Sequence, residues 1–406
     1  MESVVVVGAS LAGFHAVRAL RKEGYEGRLT VVGDEPHRPY DRPPLSKDFL
    51  AAKVDEDALA LAKGDQLDEL DLDWQLGVRA IGCDLDARVV RLADQREVPF
   101  DGLVIATGGS PRRLTGMPAN LAGLHVLRTV DDSRALRADL DATPGRVVVV
   151  GAGFIGAEVA ATCRERGLEV TVVEALPVPM VGALGPMVGT VCADVQRDHG
   201  VDVRLGVGVE AIEQGDRVEG VTLTDGTVLP ADVVVVGVGV TPVTDWLEGS
   251  GLTLDNGVVC DEACLAARGV VAAGDVARWP NAAFGGELMR VEHWENAIDM
   301  GGHAARRLLA GDPVDPTAFR YAPVPWFWSD QYDRKIQLAG RVRADDEVVI
   351  VNGSVDERRF AAIYGRAGRI VGVFGMNRPR HVMQYRNLIV RGAGWDEALE
   401  LARSSS

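Results

Sequence analysis

Two short glycine clusters, each opening straight out of an apolar run, carry the first chemistry in this chain. The first is Gly8, Ser10 and Gly13 in GASLAG; the second is Gly151, Gly153 and Gly156 in GAGFIG. Glycines at this spacing let the backbone turn tightly and come close to a pyrophosphate. The helix that follows offers free N–H groups and the positive end of its dipole to the phosphates. An acid roughly 20 residues further on completes such a site by accepting from ribose hydroxyls. Asp34 and Glu35 stand there for the first cluster and Glu174 for the second. Serine in the middle position of the first cluster is the mildest departure from the fingerprint, and the second cluster fits it in full. Glu174 would repel a 2′-phosphate, and residues 175–180 (ALPVPM) hold no cation to attract one, so NAD is expected over NADP.

Other residues can serve the same sites. YDRPPLSKDFL at 40–50 is stiffened by two prolines and brings Arg42 and Lys47 after the second strand. Lys47 is expected to balance negative charge at the nucleotide or to pair with a carboxylate. The plainer alternative is a basic residue on a surface helix capped by Ser46. Glu158, two residues beyond Gly156 on the same helix, either faces the nucleotide or is solvated. Phe154 either shields the nucleotide or packs in the core. Gly274–Asp275 closes a strand, where the carboxylate can accept from a hydroxyl and the glycine permits close approach.

The elements that must hold these residues repeat. VVVV at 4–7, a helix from about Ala12 to Arg21, and LTVVGD at 29–34 form a strand–turn–helix–strand unit. The same unit returns over 147–174. FDGLVIATGGSPR at 100–112 and PADVVVVGVGVTP at 230–242 read as equivalent closing strands; they bring Ala106, Thr107 and Gly108 to one site and Gly237 and Gly239 to the other. GVVAAGDVARWP at 269–280 returns to the first domain, and 292–310 reads as the helix after it. The last 90 or so residues change to short antiparallel strands with a terminal helix around 395–403. The expected fold is α/β, with two Rossmann-like domains and a C-terminal α+β domain. The expected division is 1–108 with 243–315, then 109–242, then 316–406.

Bulk properties narrow the class. The chain has 406 residues and a net charge of −16, with 59 acidic and 43 basic side chains. A general binder of nucleic acid or of anionic membrane leans the other way. The apolar runs are too short to span a bilayer. The opening MESVVVVGASLAG reads as a strand and not as a leader, so the cytoplasm is expected. The five cysteines form no CxxC pair, which argues against a metal site, a disulfide framework or a dithiol relay.

With these motifs in hand, the chain resembles the FAD-dependent, NADH-dependent ferredoxin reductases of bacterial oxygenase systems, of the putidaredoxin reductase and biphenyl dioxygenase reductase types. The resemblance runs over almost the whole chain. It is carried by GASLAG at 8–13, RPPLSK at 42–47, ATGG at 106–109, LRT at 127–129, GAGFIGAEVA at 151–160, AAGDVA at 272–277, RVEHWENA at 290–297 and WFWSDQYD at 326–333. It implies a glutathione-reductase-like fold in which an FAD domain is split by an inserted NAD domain. Ala12, Asp34, Lys47, Ala80, Arg128, Asp275 and Trp294, the last beside Glu292 and His293, would then meet FAD. Gly153, Ile155, Glu158, Glu174, Gly237 and Gly239 would line the NADH path. Trp326 and Phe327 would lie near the flavin or the partner. Trp294 occupies a position that varies in the wider family.

The resemblance points to a [2Fe–2S] ferredoxin as electron acceptor, serving a cytochrome P450 or a Rieske oxygenase. Such ferredoxins are acidic, and so is this chain, so docking requires a local basic patch. Arg378, Arg380, His381, Arg386 and Arg391, with Arg334 and Lys335, cluster in the C-terminal region. No nucleic-acid or membrane partner is expected, and the enzyme would be a monomer or homodimer. Rubredoxin reductase and NADH oxidase are the alternative activities of this fold; an NADH-sensing interaction flavoprotein is the more distant one.

Overall fold

A computed structural model describes residues 1–118, 120–142, 145–312 and 314–404. The chain divides into two compact units, each assembled from three separate stretches.

The first unit comprises Met1–Asp41, Leu59–Ser110 and Thr241–Trp326. Its six-stranded sheet runs in the order Leu265–Ala267, Val270–Ala272, Gly102–Ile105, Ser3–Val7, Arg28–Gly33, Leu72–Leu76. Every pairing is parallel except the outermost, between Leu265–Ala267 and Val270–Ala272. Val4–Val7 are fully buried at the centre. A central parallel strand is covered on both faces, which is why this stretch is unbroken valine and not an alternation. The first glycine turn leads into helix Leu11–Lys22. Helix Trp294–Ala310 packs on it so closely that a Cβ on Gly301 would sit against the Ala12 backbone.

The second unit comprises Arg42–Ala58, Pro111–Val240 and Phe327–Ser406. A parallel five-stranded sheet runs Asp202–Leu205, Glu169–Glu174, Arg146–Val150, Val233–Val236, Leu124–Val126. The second glycine turn leads from Arg146–Val150 into helix Phe154–Glu165. The C-terminal stretch adds an antiparallel five-stranded sheet, ordered Trp326–Gln331, Arg334–Gly340, Arg369–Met376, Arg359–Arg366, Glu347–Ser354, with helices Pro379–Val390 and Trp395–Ser404. Helix Val181–Asp198 packs Leu184, Val188, Val191 and Val195 onto Ile336, Leu338, Phe360 and Phe374 of that sheet.

Each unit also carries a three-stranded antiparallel meander that the sequence reading did not separate. These are Ala80–Asp84, Val89–Leu92, Glu97–Pro99 in the first and Val209–Gln214, Val218–Leu223, Val228–Pro230 in the second. Residues 42–58, which run on from the first strands in sequence, pack within the second unit. Ser133 Oγ donates to the Leu45 carbonyl at 2.7 Å and Thr162 Oγ1 to the Ser46 carbonyl at 2.8 Å. Leu50 is buried among Val159, Ala160 and Cys163. Among the described residues, no helix is long and apolar enough to cross a membrane.

Candidate functional site

The first unit gathers the first glycine turn. Gly8 has φ +120°, and a Cβ there would run into the Ala106 carbonyl and come within 2.9 Å of the Thr107 nitrogen. A side chain at Gly13 would strike the Gly8 carbonyl. Gly274, at φ +75°, leaves its would-be Cβ only 2.8 Å from the Ala12 Cβ, which brings Ala12 and Gly274–Asp275 to one place. Thr107 Oγ1 donates to the Val243 carbonyl at 2.7 Å, and the Gly108 carbonyl accepts from Val243 N at 3.0 Å. Ala80 is buried at the start of its strand. Trp294 Nε1 donates to Asp41 Oδ1 at 2.7 Å, and the indole opens the helix that His293 caps. Glu292 pairs with Arg290 at 2.6 Å. Trp326 closes this unit in sequence and Phe327 opens the last stretch of the second.

Strand register refines the acidic positions. Val7 pairs with Val32 and Val150 with Val173, so Gly33 occupies the place that Glu174 holds in the second unit. A side chain at Gly33 would meet the Ala9 Cβ at 2.7 Å. The acid is therefore displaced one step outward to Asp34, which is exposed. Glu35 accepts from the Tyr40 hydroxyl.

The second turn is complete in its own unit. Gly151 has φ +101° beneath the Gly237 carbonyl, and Gly156 sits against the Gly151 carbonyl. Gly153 caps the helix with extended backbone, and a Cβ there would meet nothing within 4 Å. Glu174 Oε2 accepts from Ala152 N and Oε1 from Leu176 N, both at 2.9 Å. The carboxylate thus braces the turn and keeps lone pairs for hydroxyl donors. Gly239 has φ +97° and open space around it. Ile155 is exposed, and Phe154 packs edge-on against Phe327 with ring centres 4.6 Å apart.

Glu158 is the chemical focus of this unit. It is 3 % exposed, and three donors converge on its carboxylate. Lys47 Nζ lies 3.0 Å from Oε2, Ser46 Oγ donates to Oε2 at 2.5 Å, and Ser329 Oγ donates to Oε1 at 2.8 Å. An acceptor-only carboxylate matches this set, and a buried one without such partners would be costly. Arg42 Nη1 donates to the Arg128 carbonyl at 2.6 Å, which ties the proline-stiffened segment to the strand end carrying Arg128. Lys47 and Glu158 were singled out from sequence; Ser46 and Ser329 were not recognised as their partners. Ser46 is a buried donor here and not a surface cap.

The C-terminal basic stretch is partly neutralised. Arg391 pairs with Glu397, Arg334 with Asp333 and Lys335 with Asp330. Burial and then Arg378 hold His381 below its ordinary value. Arg380 lies exposed on helix Pro379–Val390, and Arg378 Nε donates to Asn352 Oδ1 at 2.7 Å.

All five cysteines are free and buried. Burial pushes the Cys83 thiol up to about 11 and those of Cys163, Cys192 and Cys260 up to about 12; Cys264 is raised well above its ordinary value.

Comparison with known proteins gives the family. Residues 2–301 match the family model "Pyridine nucleotide-disulphide oxidoreductase", and residues 326–404 match "Reductase C-terminal". Rhodocoxin reductase of Rhodococcus erythropolis is 40% identical over 95% of this chain and 89% of its own. The structure of the covalent putidaredoxin reductase–putidaredoxin complex superposes with a TM-score of 0.89 at 32% identity, covering 96% of this chain and 93% of that one. The ferredoxin reductase for the CYP199A2 system of Rhodopseudomonas palustris gives 0.89 at 38% identity, covering 97% and 96%. Two glycine turns, a lysine paired with a buried carboxylate and an antiparallel C-terminal sheet thus stand in a chain that belongs to the pyridine nucleotide-disulphide oxidoreductases, among the ferredoxin reductases of bacterial oxygenase systems.

Proposed function

We propose that this enzyme takes electrons from NADH and delivers them through FAD to a [2Fe–2S] ferredoxin that serves a cytochrome P450 or a Rieske oxygenase. The observation that carries the reading is two dinucleotide turns in one chain whose cysteines are all buried and held protonated. With no reactive dithiol to relay electron pairs, a one-electron carrier is the fitting acceptor. The relatives' printed names, rhodocoxin reductase and the putidaredoxin complex among them, point the same way.

The residues fit both nucleotides. Around the first turn, Gly8, Ser10, Ala12 and Gly13 would cradle the FAD pyrophosphate, Asp34 and Glu35 would take the ribose, and Ala80, Ala106–Gly108, Asp275 and Trp294 would line the rest. At the second, the open space at Gly153 and the braced Glu174 suit NADH. When bound, FAD supplies two-electron uptake and one-electron release. The protein's part is alignment and charge balance. Lys47 would offer a cation where negative charge accumulates, and Glu158 would fix its position. In this reading residues 1–108 with 243–315 form the FAD domain, 109–242 the NAD domain and 316–406 the interface domain. Reduced, unpaired thiols accord with a cytoplasmic setting.

For docking, the ion pairs leave Arg378 and Arg380 as the strongest candidates within the basic stretch. Replacing both with Glu should raise the Michaelis constant for ferredoxin and spare NADH–ferricyanide turnover. Anaerobic NADH titration should bleach the flavin, and cytochrome c reduction should then depend steeply on added ferredoxin. Bleaching without ferredoxin dependence would move the acceptor to rubredoxin or oxygen.

A further inference from the structure

The Ser329 hydroxyl is the last link of a longer hydrogen-bond chain inside the second unit. Tyr332 OH donates to Gln196 Oε1 at 2.8 Å. Gln196 Nε2 donates to Gln331 Oε1 at 3.0 Å, and Gln331 Nε2 donates to Ser329 Oγ at 3.1 Å. Ser329 Oγ then donates to Glu158 Oε1. Gln196, Ser329 and Gln331 are all buried. Every bond points the same way, from the phenol to the carboxylate. Each glutamine accepts with its oxygen on one side and donates with its nitrogen on the other, so neither amide can flip without breaking two bonds. The far end is anchored: Tyr332 stacks flat on His199 with ring centres 3.7 Å apart, and His199 Nδ1 lies 2.8 Å from the Val195 carbonyl. Burial keeps the Tyr332 phenol protonated by pushing it well above its ordinary value, so the chain starts on a permanent donor.

We propose that Tyr332, Gln196, Gln331 and Ser329 are positioning residues for the Glu158–Lys47 pair, a one-way donor chain that sets how much of the Glu158 charge is left to act on Lys47. Aligned hydrogen bonds in a low-dielectric interior polarise one another. The carboxylate at the receiving end disperses charge into the chain. Removing Ser329 concentrates that charge on Glu158 and weakens the net positive field of Lys47. Removing a more distant member has the same sign and a smaller size. The chain starts at Tyr332, just past strand Trp326–Gln331, and passes through Gln196 of helix Val181–Asp198 before returning to Gln331 and Ser329 of that strand, so the C-terminal stretch reaches the pair through hydrogen bonds. The inference rests on the reading that Lys47 and Glu158 tune the bound flavin.

The test measures the midpoint potential of the flavin in the purified holoenzyme by anaerobic dye-coupled titration, alongside NAD affinity by calorimetry and the melting temperature. Ser329→Ala should lower the potential by about 30 mV, a ten-fold change in a two-electron equilibrium. Gln331→Met should lower it less, and Tyr332→Phe least. Ser329→Thr, which keeps the hydroxyl, should restore the native value. Glu158→Gln should raise the potential, and Ser329→Ala should add nothing in that background. NAD affinity should stay within two- to three-fold in the Ser329, Gln331 and Tyr332 variants, as expected for residues that act only through Glu158. Gln331→Met leaves Gln196 Nε2 its bond to the Ala157 carbonyl at 3.3 Å, so this variant retains the fold if any does. If Glu158→Gln shifts the potential while Ser329→Ala and Gln331→Met do not, the relay is wrong and the role of the pair stands. If Glu158→Gln also leaves the potential unmoved, the reading beneath it fails too.

Discussion

Gly156→Ala should cost both stability and NADH binding, and Gly153→Ser should cost almost no stability. A Cβ on Gly156 would be driven into the Gly151 carbonyl, 3.2 Å from its carbon and 3.3 Å from Val149 Cγ1. Backbone and a central strand lie on those sides, so nothing flexible can yield. Helix Phe154–Glu165 must lift off the turn. Overpacking of this kind costs about 1–3 kcal/mol. In a unit of this size, each kilocalorie lowers the melting temperature by roughly 2–4 °C. The lift also draws the helix N-terminus away from where the proposed NADH phosphates would sit. Losing one charge-assisted hydrogen bond, about 1.5–3 kcal/mol, weakens NADH at least ten-fold. Gly153 is different: its backbone is extended, its would-be Cβ meets nothing, and it caps the helix. Serine is a good cap, and Ser10 already stands at this point of the first turn. Thermal melts with and without FAD, with NADH affinity from stopped-flow bleaching, read both effects. Equal melting of Gly156→Ala and the parent, or an equal loss in Gly153→Ser, would refute the steric argument.

Three further outcomes follow from the geometry. Glu174→Ala removes the acceptor for two backbone N–H groups and, in the proposed NADH site, a charge from the ribose end; NADH should lose roughly ten-fold in kcat/KM, and the NADPH-to-NADH activity ratio should rise. The native enzyme should react negligibly with Ellman's reagent at pH 8, because a thiol held near 11 is only about one part in a thousand ionised there; prompt release of even one equivalent would overturn the burial of the cysteines. Hydrogen bonding from Arg146 holds the Asp232 carboxyl below its ordinary 3.8. A lowered folded value means this stabilisation is fully present above 3.8 and is lost as the pH falls through the lowered value. Arg146→Met should therefore flatten the acid-unfolding curve below pH 3.8 and cost little at neutral pH, where solvent screens so exposed a pair; an unchanged acid limb would count against the pair.

What could be read in the sequence was what is local. The glycine turns, their strands and Glu174 lie within one strand–helix–strand stretch, where 3.6-residue and valine-run patterns show directly. Lys47 and Glu158 could be chosen by residue type, but their meeting could not, because 112 residues separate Ser46 from Glu158 and 171 separate Ser329 from it. The tie between Trp294 and Asp41 spans 253 residues and left no periodic trace. The displaced acid at Asp34 was hidden for another reason. Only the pairing of Val7 with Val32 shows that Gly33, and not Asp34, stands level with Glu174. Helix Pro379–Val390 was visible only as a run of charge.

The interleaving of the two units sets an order of assembly during synthesis. The strand Gly102–Ile105 is one of the innermost of its sheet, and it waits for Val270–Ala272 to pair along its open edge. At about 5–20 residues per second, the ribosome needs on the order of 10–30 s to make the intervening chain. Within that interval the whole of the parallel sheet from Leu124 to Val236 has emerged and can close. The second parallel sheet can thus be finished while Gly102–Ile105 still exposes an unpaired apolar edge. That edge is a ready template for another nascent chain, so overexpression with many chains in synthesis at once should lose this protein to aggregation through the first sheet, and faster delivery of Val270 after Ile105 would reduce that loss.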